Sequence, residues 1–115
     1  MTPLELARKY MEAVFTTGDF DQLRQILSDD LNFQGPMFSF DSADKYINAM
    51  KADPPVNFQY ELLNSYEDSF SACLVYRFSK QGVSTTMIQT FKINSSKITE
   101  ILLVFDTGAF KNQET

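Results

Sequence analysis

The chain has no histidine and no tryptophan, a single cysteine, and only four glycines and four prolines in 115 residues. Without histidine it lacks the commonest general base and the commonest metal ligand. Cys73 alone can neither close an internal disulfide nor supply a thiolate cluster, which excludes structural zinc and fits a reducing compartment. Four scattered glycines leave no Gly-rich phosphate loop. Ten Lys and Arg against fifteen Asp and Glu give a net charge of −5, and the basic residues are dispersed, unlike a nucleic-acid surface. No apolar run approaches the roughly 20 residues that span a bilayer, and charges interrupt the stripe of Met1–Val14, so it does not read as a signal peptide. The expectation is a cytoplasmic protein without metal or cofactor that binds neither nucleic acid nor membrane.

What is present is aromatic: eleven Phe and five Tyr within a 43% hydrophobic composition. A chain of this size supports one core, so residues 1–115 read as a single domain. Thr2-Pro3-Leu4-Glu5 is a helix start, with Thr2 as cap, Pro3 at the first position and Glu5 completing a capping box. Leu4, Ala7, Met11, Val14 and Phe15 form one apolar stripe, widened by Leu6, Tyr10 and Ala13. Gly18 ends that helix, and Asp19 caps a second through Phe20, Leu23, Ile26 and Leu27. Ser28-Asp29-Asp30 closes the helical pair. Leu31–Phe33 alternates as a short strand, Gln34-Gly35-Pro36 turns, and Met37–Phe40 resists assignment. Asp41-Ser42 begins a third helix that stops at Asp53-Pro54-Pro55.

From Val56 the period becomes twofold: Val56, Phe58, Tyr60 and Leu62 alternate with polar residues. Turns at Ser65–Asp68 and Lys80-Gln81-Gly82 flank a strand from Ser69 to Ser79. Val83–Ile93 and Ile98–Phe105 follow, joined by Asn94-Ser95-Ser96-Lys97. The polar tail Lys111–Thr115 reads as frayed. Helices followed by a meander predict an α+β domain of order ααβαββββ, its curved antiparallel sheet wrapped on the N-terminal helices.

Ile101–Phe105 is apolar at every position, as expected of a strand covered on both faces. It ends in Asp106, which by parity shares a face with Leu102 and Val104. A carboxylate ending an apolar wall makes Asp106 a candidate pocket acid–base; the alternative is a carboxylate that caps a loop or meets a lysine. Gln89 shares a face with Met87, Phe91 and Ile93, and a buried amide must bond either a ligand or the backbone. Arg77, alone on an apolar strand, pairs with Asp106, binds an anion or lies in solvent. Cys73 reads as a small apolar residue, since no histidine can activate it. With Leu102 and Val104 turned inward, Cys73, Val75, Ile88, Ile101, Leu103 and Phe105 point outward, and so apolar an outer face marks an interface.

The element order, with Tyr10, Gly18-Asp19-Phe20, Asp29-Asp30, Phe33, Gly35-Pro36, Lys97-Ile98 and Phe105-Asp106, resembles the SnoaL-like and ketosteroid isomerase-like proteins of the nuclear transport factor two-like superfamily, from about Leu4 to Phe110. The resemblance implies a cone-shaped (cystatin-like) fold with a small-molecule pocket at its open end, commonly as a homodimer. It does not carry over the isomerase's residues. The base position falls on Gly35, the helical tyrosine on Met11 beside Tyr10, and the second acid on Gln89. Of the acids used by the epoxide hydrolase and SnoaL branches, only Asp106 near the end of the last strand has a counterpart; the hydrolase's Arg and Asp pair becomes Arg77 and Ser79.

The function expected is therefore the binding of an apolar small molecule, with isomerase, cyclase or hydrolase chemistry at Asp106 if there is turnover. Met11, Phe33, Phe58, Tyr60, Met87, Phe91 and Val104 would line the pocket, with Tyr10, Gln89 and Asp106 as polar anchors. The homodimer would form through the outer sheet face. The rival expectation is a non-catalytic dimeric binding or assembly module whose cavity is filled by side chains such as Phe33, Phe58 and Phe91.

Overall fold

The computed structural model describes residues 1–54 and 57–111, the Lys111 side chain excepted. The parts assigned above to Pro55, Val56 and the tail 112–115 lie outside the described residues.

Helix α1 spans Pro3–Glu12, with Glu5 N–H donating to Thr2 Oγ1 (3.1 Å) and Thr2 N–H donating to Glu5 Oε1 (3.3 Å). That is the capping box its first residues encode. It runs without a break into a π-helical turn, Ala13–Thr17, and stops at Gly18 with φ +65°, where a side chain would be strained. Asp19 accepts the Gln22 N–H and starts α2, Phe20–Ile26. Strand β1 is Leu27–Gln34, longer than the expected Leu31–Phe33. Ser28-Asp29-Asp30 does not end the helical pair in a loop but forms an irregular stretch of the strand, where Arg24 pairs with Asp29 (2.6 Å) and with Asp44 (2.9 Å).

The unassigned segment supplies β2, Ser39–Phe40, which pairs with Phe33 and Gln34. Ser42 caps α3, Ala43–Ala52, which buries Ala43, Tyr46 and Ile47. Strands β3 (Phe58–Glu67), β4 (Ser71–Lys80), β5 (Val83–Asn94) and β6 (Lys97–Val104) form the meander, and α4 is one turn, Gly108–Lys111. Both tight hairpins use left-handed residues, Gln81-Gly82 and Ser95-Ser96, as two-residue turns between twisted strands require.

The fold is α+β as expected, but the sheet is mixed. Its order is β2-β1-β6-β5-β4-β3, and β1 lies parallel to β6. The last strand of the meander, β6, runs in the same direction as β1, so an otherwise antiparallel curved sheet joins β1 through one parallel pairing.

The larger correction concerns which face of β6 is buried. Phe91 pairs with Ile101 and Gln89 with Leu103. Ile101 is 1% exposed, and Leu103 and Phe105 pack on the core, whereas Leu102 and Val104 are 47% and 49% exposed. The cause is one residue. The turn pairs Ile93 with Ile98, but Lys92 then pairs with Glu100, so Thr99 is bulged and its hydroxyl donates to the Lys92 carbonyl (3.2 Å). A single bulged residue exchanges the two faces of everything beyond it.

Candidate functional site

Four polar side chains meet under the sheet, each from a different element. Tyr10 comes from α1, Tyr46 from α3, Tyr76 from β4 and Gln89 from β5; none is more than 3% exposed. Tyr10 lies one turn before Val14 on the buried stripe of α1, and Tyr46 shares the inward face of α3 with Ala43 and Ile47, so packing turns both hydroxyls toward the same place. Their oxygens are hydrogen-bonded. Tyr76 Oη donates to Gln89 Oε1 at 2.8 Å, and the Gln89 side chain also bonds Tyr10. Tyr46, Tyr10, Gln89 and Tyr76 thus form one continuous chain. Among the described residues, no buried side-chain nitrogen or oxygen lacks a hydrogen-bond partner.

Rings enclose this chain. Phe33 stacks on Tyr46 (centroids 5.0 Å, 17°), Phe91 meets Tyr10 edge-on at 5.2 Å, and Met11 is 1% exposed beneath them. Burial pushes the Tyr10 phenol up to about 12 and raises Tyr76; Tyr46 is raised by burial and then by the adjoining Tyr10. All three are therefore neutral hydroxyls at physiological pH. The arrangement can hold and orient hydrogen bonds, but it contains no carboxylate or amine to move a proton.

The sequence-derived candidates divide by location. Tyr10, Met11, Phe33, Met87, Gln89 and Phe91 are buried together inside, and Phe58 and Tyr60 are partly buried farther along the same side. Val104 is not with them; the Thr99 bulge puts it on the outer face opposite Ile88. Asp106 lies past the end of β6 on the surface, where its Oδ1 accepts the Gly108 N–H at 2.9 Å and caps the start of α4. Arg77 is exposed on the outer face, across from Glu61 and Thr86, and Cys73 is half-buried between Tyr66 and Thr90. Tyr46 was not among the candidates, though an inward tyrosine on α3 needs a partner as much as Tyr10 does.

Among the described residues, two recesses on the surface stand apart from this interior. One of about 240 Å³ lies on the outer face among Asn32, Gln34, Thr90, Lys92 and Leu102. The other, about 560 Å³, lies beside the β3–β4 turn among Asp68, Phe70, Lys92, Asn94 and Thr99. Among the described residues, no group of three or more His, Cys, Asp or Glu is placed to hold a metal ion, and no helix is long and apolar enough to cross a membrane.

No protein-family model and no curated protein matches the sequence. Solved structures do match. An NTF2-like protein of unknown function from Cytophaga hutchinsonii superposes with a TM-score of 0.82 at 22% identity, over 96% of this chain and 95% of that one. The fold is nuclear transport factor two-like. A protein from Kribbella flavida gives a TM-score of 0.86 at 20% identity, covering 98% and 93% of the two chains. An LEH-like epoxide hydrolase from M. tuberculosis gives 0.78 at 16%, covering 93% and 84%. At such identities the likeness to these proteins is one of fold, and chemistry must be argued from the side chains.

Proposed function

We propose that this chain is a non-catalytic, dimeric binding or assembly module whose cone is filled by its own side chains and whose working surface is the outer face of the sheet. One observation carries the reading: the polar groups of the interior, Tyr46, Tyr10, Gln89 and Tyr76, are spent on one another. A ligand seated at Gln89 would have to replace those bonds and displace rings that are almost wholly buried. Acid–base chemistry at Asp106 finds no support in its place on the surface, where the carboxylate serves as a cap.

The outer face supports the other half of the reading. Tyr66, Ile88, Leu102 and Val104 are 59%, 41%, 47% and 49% exposed. Pairing of Val75 with Ile88, Ile88 with Val104 and Thr90 with Leu102 makes them one patch on β3–β6, rimmed by the Lys92–Glu100 pair at 3.2 Å. A contiguous apolar patch with a charged rim is the composition of a protein interface. Sedimentation velocity at micromolar concentration tests it: the wild type should sediment as a dimer and Leu102→Glu as a folded monomer. A monomeric wild type would remove the proposal.

A further inference from the structure

We propose that Asn94, at the tip of the β5–β6 hairpin, is a self-acting modification site, where the side-chain amide is lost as ammonia and aspartate or isoaspartate is left. The fold protects Asn64, which has the same following residue. This goes beyond the proposed function: it concerns neither the hydrogen-bonded interior nor the outer-face interface.

Asparagine is a thermolabile residue, most of all before a small side chain. The main-chain nitrogen of the next residue gives its proton to water and attacks the asparagine Cγ. The new carbon–nitrogen bond closes a succinimide ring, and the amide nitrogen takes up a proton and leaves as ammonia. Water then opens the ring at either carbonyl, and nothing else from outside the chain is consumed. The sequence holds two Asn-Ser steps, Asn64-Ser65 and Asn94-Ser95, so residue type alone does not separate them.

Their surroundings do. Ser95 Oγ donates to Asn94 Oδ1 at 3.2 Å, which draws electron density from the carbon to be attacked. Ser95 and Ser96 carry the turn at φ +52° and +65°, where a side chain is disfavoured and glycine is the usual occupant. Residues 94–97 are all exposed, and Asn94 with Lys97 is the last pair of its ladder. The swing that brings the Ser95 nitrogen onto Cγ therefore relieves a strained turn and disturbs no core contact. Asn64 stands within β3, paired with Val75, while Ser65 pairs with Leu74. Ring closure there must break a ladder inside a strand, and opening costs least at loop tips and most within paired strands. The product at Asn94 adds a negative charge across the ladder from Lys97, on the wall that Asn94 shares with Asp68, Lys92 and Glu100 in the larger recess. Its isoaspartyl form also lengthens the main chain by one carbon at the residue that closes the hairpin.

The test is peptide mapping by mass spectrometry, with an enzymatic isoaspartate assay, on the full chain aged at mildly alkaline pH. In the folded protein Asn94 should convert at least about tenfold faster than Asn64, and in urea the two rates should come within about twofold, since neither turn nor ladder survives there. Ser96→Gly keeps the Asn-Ser step and relaxes the turn, so it should slow Asn94 severalfold. Ser95→Ala should slow it as well, by removing the hydroxyl. Conversion of Asn94 no faster than that of Asn64 in the folded chain, a gap that persists in urea, or either variant ageing as fast as wild type would each overturn the proposal.

Discussion

Removing the Gln89 amide gives the sharpest stability test of the interior chain. Tyr76 Oη donates to Gln89 Oε1 at 2.8 Å with both residues at most 2% exposed. Tyr76→Phe should therefore leave a buried carbonyl oxygen without a partner, and Gln89→Leu should leave a buried hydroxyl. Each orphaned group costs about 1–3 kcal/mol. The double variant Tyr76→Phe/Gln89→Leu leaves neither orphan, because Tyr10 keeps Tyr46 as a partner. Its loss should fall short of the sum of the single losses by about 1–2 kcal/mol, within the range found for contacting pairs. Urea unfolding reads this directly: with a slope of about 2 kcal/mol/M, a single variant losing about 2 kcal/mol shifts its midpoint by about 1 M. Losses that add to within about 0.5 kcal/mol, or a Gln89→Leu protein more stable than wild type, would show that the two side chains do not depend on each other.

Other consequences are simpler. Asp106→Asn should leave the melting temperature close to wild type, since an amide oxygen can still cap α4, whereas Asp106→Ala should cost about 1 kcal/mol as a lost cap. Gly18→Ala should destabilise by about 1 kcal/mol, because φ there is +65° and nothing within 4 Å rewards the added methyl; an unchanged unfolding midpoint would contradict the left-handed stop. Val104→Lys should dissociate the proposed dimer while leaving the urea midpoint of the monomer little changed, since its side chain faces outward. If Val104 were buried inside, the same change would unfold the chain.

The local features were legible because their chemistry is local. Thr2 and Glu5, Asp19, Ser42 and Gly18 do what their residue types prescribe, and the hairpins turn where the sequence places them, although only Gly82 is of a type that favours the left-handed φ that Gln81, Ser95 and Ser96 also adopt. The twofold pattern of Phe58, Tyr60 and Leu62 marked the inward face of β3, and Met87, Gln89 and Phe91 that of β5. β6 could not be oriented in this way, because five consecutive apolar residues carry no alternation. Extending the Asn94–Lys97 turn regularly would pair Gln89 with Leu102, and the bulge at Thr99 pairs it with Leu103 instead. No residue type announces that bulge, and with it went the inward placement of Val104 and Asp106. The parallel pairing of β1 with β6 is likewise a property of the whole chain, since it joins segments about 70 residues apart. Tyr46 was within reach of sequence reasoning: two inward tyrosines on two helices are two hydroxyls in need of partners.

The most direct test of the filled interior is a spectrophotometric titration of tyrosine, with Tyr10→Phe, Tyr46→Phe and Tyr76→Phe used to assign the steps. Burial raises all three phenols in the folded state, Tyr10 to about 12. The unfolded chain loses these protons near pH 10. Their contribution to stability is therefore complete below pH 10 and declines above it, by about 1.4 kcal/mol per pH unit for each tyrosine until its folded value is reached. The expected result is that none of the three ionises near pH 10 in the folded protein, and that their release at higher pH coincides with the loss of folded structure. Ionisation of any of them near pH 10 with the fold intact would mean that water reaches the hydroxyls, and the cone would be open.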